Sequence, residues 1–440
     1  MDTYPPSGQA SKLSSAQRKP TAEPAGTHPP PTGSETDTGS PTQGARLRTV
    51  LMLGSLVAVG PLTTDMYLPA LPAVARQLDT SAASVQLTLT ATLIGLALGQ
   101  LVAGPMSDAL GRRKPLLIGL GVHIVASALC AVAPNLAVLD ALRMLQGLGA
   151  ATSTVITMAM VRDLYEGARA AGLLSRLMLV MGVAPILAPT FGGVVLTATS
   201  WRGVFVVLAA LSVVITVVTA RALPETLPAQ RRRSGGLGQS MKDYATLLRD
   251  RRFVGLVLVA GLAMSTIFAF VAGSPFVFQD HFGLDEQEFG LVFGAGALWV
   301  VLATQLNVRV LRRRTPMQVL VRAGVVATAG GVLLVVCGAT GAGGIVGVLA
   351  PLWLTLFATG FAMPNAPALA LSRHGRVAGT AAALLGAVQF GIGALVSPLV
   401  GVVGTGPAAM ASVITGGLVV LLLVLVVLVR PGRPDGDADL

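Results

Sequence analysis

Charge is scarce in this chain. Asp, Glu, Lys and Arg make up 12% of its 440 residues, about half the share of a soluble globular protein. Aromatic residues are few as well, at 5%. The two cysteines, Cys130 and Cys337, each lie inside an apolar run, which excludes a disulfide framework and a cysteine-based metal site. His28, His123, His281 and His374 are scattered and form no HExxH-like pair, so no metal is expected. No GxxxxGK[ST] loop appears, which excludes a P-loop ATP drive. No paired-carboxylate cluster sits at the end of an apolar run, as a membrane-embedded prenyl or glycosyl transferase would need to hold a metal and a diphosphate. The chain is expected to be neither an enzyme nor a cofactor protein.

What is present is apolar sequence, 53% of the chain with 52 glycines. Stretches of about 20 apolar residues can each cross a bilayer as a helix. Twelve are read here, at 48–69, 84–104, 115–133, 137–160, 171–196, 202–222, 253–278, 288–308, 318–339, 346–371, 379–403 and 407–429. The formal net charge of +11 would suggest nucleic acid if the basic residues clustered on a soluble surface. Their distribution gives another meaning. With twelve spans, the loops of one side hold only Arg76 and Arg202, while Arg143, Arg176 and Arg322 fall inside spans. All the other Lys and Arg residues fall on the opposite side, which the positive-inside rule makes cytoplasmic. The expectation is a multi-pass plasma-membrane protein of bacterial type, with both termini cytoplasmic and a lipid bilayer rather than nucleic acid as its partner.

Five segments follow. Residues 1–45 are rich in Pro, Ser, Thr and Gly without apolar periodicity, and read as a disordered cytoplasmic tail with no cleavable signal. Residues 46–222 hold six spans, 223–252 form a polar linker, 253–430 hold six more spans, and 431–440 are a second tail. The two halves echo each other. "RRKP" (Arg112–Pro115) and "RRTP" (Arg313–Pro316) follow the second and eighth spans; "RAAG" (Arg169–Gly172) and "RVAG" (Arg376–Gly379) precede the fifth and eleventh. The offsets, 201 and 207 positions, are nearly equal. The fold class expected is therefore an all-α membrane protein, twelve transmembrane helices in two six-helix pseudo-repeats around a central cavity. Transporters with such parallel repeats bind substrate near the midplane between the halves.

The loops then become recognisable. "GPMSDALGRRKP" (Gly104–Pro115) resembles the signature loop of the major facilitator superfamily, through Gly104, Asp108, Gly111, Arg112 and Arg113. Gly104 and Gly111 would permit a tight turn, and Asp108 would form a latch that opens when the halves separate. "LDALRMLQGLGAA" (Leu139–Ala151) resembles the fourth-helix motif, with Arg143, Gln146 and Gly147 in the membrane. "APTFGGVV" (Ala188–Val195) resembles the fifth-helix motif of drug:proton antiporters, with Ala188 where glycine is usual. Its Pro189, Gly192 and Gly193 would give a kinked helix closely packed between the halves. "TDMYLP", "MVRDLY", "WRGVF", "PNAPALAL" and "AGTAAALLGAVQF" are similar to the bicyclomycin/chloramphenicol resistance branch. The resemblance runs from about residue 48 to 429 and implies a proton-coupled exporter of small lipophilic compounds, working by alternating access. Proton-coupled transport of a small endogenous metabolite is the alternative. A monomer is expected.

Asp65, in "LTTDMYLPALP", is the charge that needs explaining. A carboxylate in a membrane helix costs about 2.5–3.5 kcal/mol on insertion scales. Because desolvation penalises its charged form, it can take up and release a proton as its surroundings change. Pro69 and Pro72 end or break the helix just beyond it. Arg143 is the second costly charge; it either tunes Asp65 from the cavity or makes a structural hydrogen bond, and Asp140 lies one turn away as a partner. Arg162 and Asp163 form either a gating ion pair or a solvated loop pair. Tyr67, Gln146, Phe268, Phe270, Trp299, Trp353, Asn365 and Gln389 are the candidates for lining a substrate cavity.

Overall fold

The computed structural model describes residues 43–232, 236–374 and 377–430. Of the segments expected as tails, residues 1–42 and 431–440 lie outside these, as does Arg376. Among the described residues the chain is helical without strands, and twelve helices are long and apolar enough to cross a membrane. In chain order the helices are α1 (Gln43–Asp65), α2 (Leu71–Gln77), α3 (Ala82–Leu110), α4 (Arg113–Cys130), α5 (Leu136–Leu164), α6 (Gly167–Ala198), α7 (Trp201–Ala222), α8 (Gly236–Leu247), α9 (Arg251–Pro275), α10 (Glu286–Val310), α11 (Pro316–Thr340), α12 (Gly344–Leu371), α13 (Ala378–Val403) and α14 (Pro407–Val424). α1 and α2 together make the first span, and α8 lies in the linker. α1 starts inside the segment read as tail.

The helix ends follow local chemistry. Ser81, Asn135 and Asp250 accept hydrogen bonds from the first backbone N–H groups of α3, α5 and α9. Asp285 with Glu288, and Thr315 with Gln318, form reciprocal capping boxes on α10 and α11. Prolines account for the breaks. Pro69 and Pro72 have no N–H for the carbonyls of Asp65 and Leu68, so α1 stops at Asp65 and the chain crosses a short turn, Leu68–Ala70, before α2.

Carbonyls freed by proline elsewhere find side-chain partners. Pro105 leaves the carbonyl of Leu101 open, and the hydroxyl of Tyr244 on α8 donates to it at 3.3 Å. Pro398 leaves that of Ala394 open, and Thr90 on α3 donates to it at 3.3 Å.

The duplication is visible in the packing. Within the first half, α5 packs on α3 and α4, and α4 on α7; within the second, α12 packs on α10 and α11, and α11 on α14. Between the halves, the second span (α3) lies along the eleventh (α13), and the eighth (α10) along the fifth (α6). These two contacts exchange places under the repeat, as a pseudo-two-fold axis requires.

One end of the bundle carries the loop at residues 78–81 and is called the first-loop face; the other carries the 223–250 linker and is called the linker face. Hydrogen bonds between the halves gather toward the first-loop face. Arg76 pairs with Asp280 at 3.3 Å, and Gln279 donates to the carbonyl of Pro69 at 3.2 Å. The buried Gln86 amide donates to the carbonyl of Ala272 at 3.0 Å and accepts from the N–H of Gly401 at 2.8 Å.

Candidate functional site: the break in the first span

Asp65 ends α1 and is buried, with 6% of its surface exposed. Its hydrogen-bond partner is local: the hydroxyl of Thr64 donates to Oδ1 at 2.9 Å. The residue before them faces the other way. Thr63 donates its hydroxyl proton to the carbonyl of Val59 at 2.6 Å, and its own carbonyl is one of those orphaned where α1 ends. Nη1 of Arg143 donates to that carbonyl at 3.0 Å and also to Oε1 of Gln146. Gln146 donates in turn to Ser127 at 2.7 Å, and Ser127 to the carbonyl of His123 at 2.7 Å.

Arg143 thus caps the broken end of α1, where a cation also suits the helix dipole. The guanidinium carbon stands 4.8 Å from the ring centre of Tyr67 and 5.6 Å from that of Phe205, and these faces compensate part of its desolvation. Asp140 makes no ion pair with it; one Asp140 oxygen, and Nε and Nη2 of Arg143, are buried without hydrogen-bond partners. The partner expected at one turn's distance is displaced by a backbone carbonyl from another helix.

The break touches the fifth span directly. Gly192 on α6 sits against the carbonyl of Met66, the residue after Asp65, and Gly193 sits against the carbonyl of Glu286 at the start of α10. Gly290 on α10 packs reciprocally on the backbone of Pro189 and Thr190, where a Cβ would lie 2.9 Å from Cα of Thr190. Pro189, Gly192 and Gly193 therefore bring three strands of backbone together: the break of the first span, α6, and the other half.

The signature loop forms a second cluster, on the linker face. Arg112 holds Asp108 at 2.5 Å and Asp163 at 2.7 Å. Asp163 is thus paired across helices, whereas Arg162 is exposed and donates to the carbonyl of Met158, one turn back on its own helix; the ion pair weighed for Arg162 and Asp163 does not form. Burial opposes the charge on Arg112, but the hydrogen bonds to Asp163 and Asp108 outweigh it and raise its pKa.

Glu225, between Pro224 and Thr226 just after α7, accepts from the backbone N–H of Arg112 at 2.8 Å and of Arg113 at 3.2 Å. Burial works against its charge, yet the N–H groups of Leu227, Arg112 and Arg113, with Arg232 nearby, hold its carboxyl below the usual range. Arg113 donates to the carbonyl of Ala220 at 2.6 Å. Every partner named lies in the first half or at the start of the linker that follows it, so this cluster ties that half to its own linker rather than latching it to the second half. Gly111, at φ +92°, makes the turn. Gly104 does not; α3 runs through it to Leu110, because Tyr244 satisfies the carbonyl that Pro105 frees.

The candidates for the cavity are not gathered in one place. Tyr67 and Gln146 are fully buried around Arg143. Phe268 packs on Phe390 at 6.0 Å, and Phe270 stacks on Phe293 at 4.8 Å, inside the second half. Asn365 is buried and donates to Asn307 at 2.8 Å. Gln389 is half-buried on α13. Trp299 lies about 140° around α10 from Gly294, beside the exposed Leu298 and Leu302, and 6.3 Å from Trp353. The two tryptophans therefore lie against each other across α10 and α12, and Trp299 is turned away from the seam with α6. Sequence reasoning missed Thr63, His123, Ser127, Gln86 and Glu225. Of these only Glu225 carried a signal, a carboxylate in the proline-flanked "LPETLP" directly after a span.

Comparison with known proteins agrees with this geometry. Residues 53–398 match the Major Facilitator Superfamily. An uncharacterised MFS-type transporter of Bacillus subtilis (strain 168), YdgK, is 38% identical over 383 residues, covering 85% of this chain and 93% of the relative. A chloramphenicol resistance protein of Pseudomonas aeruginosa is 32% identical over 396 residues, covering 89% and 93%. The xylose transporter XylE from E. coli, in a partially occluded inward-open structure, shares the fold at 13% identity with a TM-score of 0.68, covering 90% of this chain and 99% of that one. Two repeats of six spans, the signature loop and the fifth-helix glycines have their explanation here: the chain belongs to the major facilitator superfamily and is a multi-pass membrane transporter, not an enzyme.

Proposed function

We propose that this transporter is a proton-driven exporter of small lipophilic compounds, with Asp65 as the coupling acid. The observation that carries the reading is the surroundings of Asp65. The carboxyl group is buried at a helix break, its hydrogen-bond partner is a neighbouring hydroxyl, and the nearby guanidinium is engaged with a backbone carbonyl instead. A carboxyl group so placed is free to gain and lose a proton, and intramembrane acids of this kind mark proton paths. The contact of Gly192 with Met66 links the break to the moving surface between the halves, which gives protonation a way to bias alternating access.

The basic linker face is the cytoplasmic side by the positive-inside rule, and the first-loop face is the outer gate. A proton entering down 100 mV supplies about 2.3 kcal/mol, before any pH difference. The chloramphenicol resistance relative supports drugs or drug-like molecules as cargo.

The test uses inverted membrane vesicles holding a pH gradient, challenged with a panel that includes chloramphenicol and bicyclomycin. Substrate should trigger alkalinisation of the acidic lumen in the wild type and not in Asp65→Asn. A response that persists in Asp65→Asn moves coupling elsewhere. A wild type that never responds across a broad panel overturns export of such compounds and favours a metabolite.

A further inference from the structure

The coupling scheme leaves the buried imidazole of His123 unused. His123, in the middle of α4, is fully buried and meets a hydroxyl at each ring nitrogen: Thr63 Oγ1 at 2.8 Å from Nε2, and Ser212 Oγ at 3.0 Å from Nδ1. The roles of the nitrogens follow from counting protons. Thr63 has one hydroxyl proton and gives it to the carbonyl of Val59, so toward the ring it can only accept. Nε2 therefore carries the hydrogen, and Ser212 donates to Nδ1. His123 ties α1 to α4 and α7 at a single point.

That point is the last turn before the break. The bonds close a ring through α1, α4 and α5. Arg143 donates to Gln146, Gln146 to Ser127, Ser127 to the carbonyl of His123, His123 to the hydroxyl of Thr63, and the carbonyl of Thr63 accepts from Arg143. Thr63 is held at both its hydroxyl and its carbonyl, two residues before Asp65. The ionisable groups around the ring are Arg143 and Asp140 on α5, Cys130 at the end of α4, and Tyr67 in the break. Of these, Arg143 alone is a fixed charge.

We infer that His123 is a positioning residue for the coupling acid: by holding Thr63 it fixes the last turn of α1, and with it the burial of the Asp65 carboxyl and its hydrogen bond from Thr64, and so sets the pH at which Asp65 exchanges its proton. The inference rests on the reading of Asp65 as that acid. Its physical basis is that burial penalises the charged form of a carboxyl group while a hydrogen bond donated to it favours that form, so the proton affinity depends on how the helix end is held. Small rotations of an unpinned helix end therefore change the proton affinity at its tip.

The experiment is an infrared pH titration of the full-length protein in lipid, following the protonated-carboxyl band that disappears in Asp65→Asn. The midpoint should move in His123→Leu and, in the same direction, in Thr63→Val. The double variant should move no further than either single one, since both break one bond. His123→Gln, which keeps a donor for Thr63, should return toward the wild-type midpoint. A packing lesion alone would lower the folded fraction without moving a midpoint. A midpoint unchanged in folded His123→Leu, or additive shifts in the double variant, overturns the inference. If His123→Leu fails to fold, Thr63→Val decides it, because valine keeps the shape and removes the hydroxyl; an unmoved midpoint is then fatal. If no band titrates that Asp65→Asn removes, it is the coupling role of Asp65 that falls.

Discussion

Gly192 lies against the carbonyl of Met66, the residue that follows Asp65. A methyl group there would overlap that oxygen and lie 3.0 Å from the carbonyl carbon. The obstacle is backbone, so no rotamer change relieves it. Gly192→Ala should therefore displace the break or part α6 from it, and substrate-driven proton exchange should fall at least about tenfold, the effect of roughly 1.4 kcal/mol on a rate. Gly172→Ala on the same helix is the control, since a Cβ there meets nothing within 4 Å; its exchange should match the wild type. Equal activity in both variants would show that the contact carries no coupling.

Gln86 joins the halves near the first-loop face with both ends of its amide. The carbonyl it caps, that of Ala272, is open because α9 ends irregularly and the N–H of Phe276 turns to Gly273 instead. Gln86→Ala removes two buried hydrogen bonds, each worth about 0.5–1.5 kcal/mol, and leaves the groups on the second half unpaired whenever this face is shut. The closed state should lose population. A cysteine replacing the buried Ser274 should then react with an impermeant maleimide added from the first-loop side about tenfold faster than in the Gln86 background. An unchanged rate would mean that the other contacts between the halves, Arg76 with Asp280, Gln279 with Pro69 and the packing of α3 on α13, hold the face closed without Gln86.

How much of this was legible in the sequence depends on whether a feature is local. The twelve spans could be read because each is a run of apolar residues long enough to cross a bilayer, and the break of the first because Pro69 and Pro72 withhold hydrogens at known positions. Asp65 and Arg143 stood out as charges in apolar runs. Their partners did not. A side chain bonded to a backbone carbonyl, as Arg143 is to Thr63, leaves no mark in the partner's identity, so the sequence offers such a bond without naming the residue that accepts it. Arg162 and Asp163 are neighbours in sequence but point to different places, because adjacent residues on a helix stand about 100° apart. Trp299 and Trp353 suggested a cavity by residue type, whereas which side of α10 faces the seam depends on Gly290 and Gly294 meeting α6.

Glu225 makes a prediction with a definite pH sign. Its carboxyl is held below the usual glutamate value of 4.5 by the backbone N–H groups of Leu227 and of Arg112 and Arg113 at the start of α4. Such a group stabilises the fold fully above its unfolded value and loses that contribution as the pH falls through the lower, folded one. Glu225→Gln should therefore unfold at a lower temperature than the wild type at pH 7, by a small margin because the side chain is exposed. The gap should narrow steadily once the pH drops below about 4. A gap of constant size from pH 7 into this acid range would assign the effect to shape rather than charge.

Arg143→Lys keeps the charge and should still fail. Thr63 and Gln146 are both reached from Nη1, the outer end of a long planar group that also lies over the rings of Tyr67 and Phe205. A lysine ammonium sits on a shorter stem, is more strongly hydrated and has no flat face to lay on a ring. It can keep one of the two bonds at best. Losing a charge-assisted hydrogen bond costs about 1.5–3 kcal/mol, and the carbonyl of Thr63 would then end α1 uncapped in a site with little water. Substrate-driven proton exchange in Arg143→Lys should fall at least about tenfold, close to the level of Arg143→Gln, with both variants reaching the membrane in normal amounts. If Arg143→Lys works like the wild type, a positive charge near the break is sufficient and the cap on α1 is incidental. If Arg143→Gln works and Arg143→Lys does not, the bond to Thr63 matters and the charge does not. The structure favours a requirement for both, because the cation and the orphaned carbonyl meet at one nitrogen.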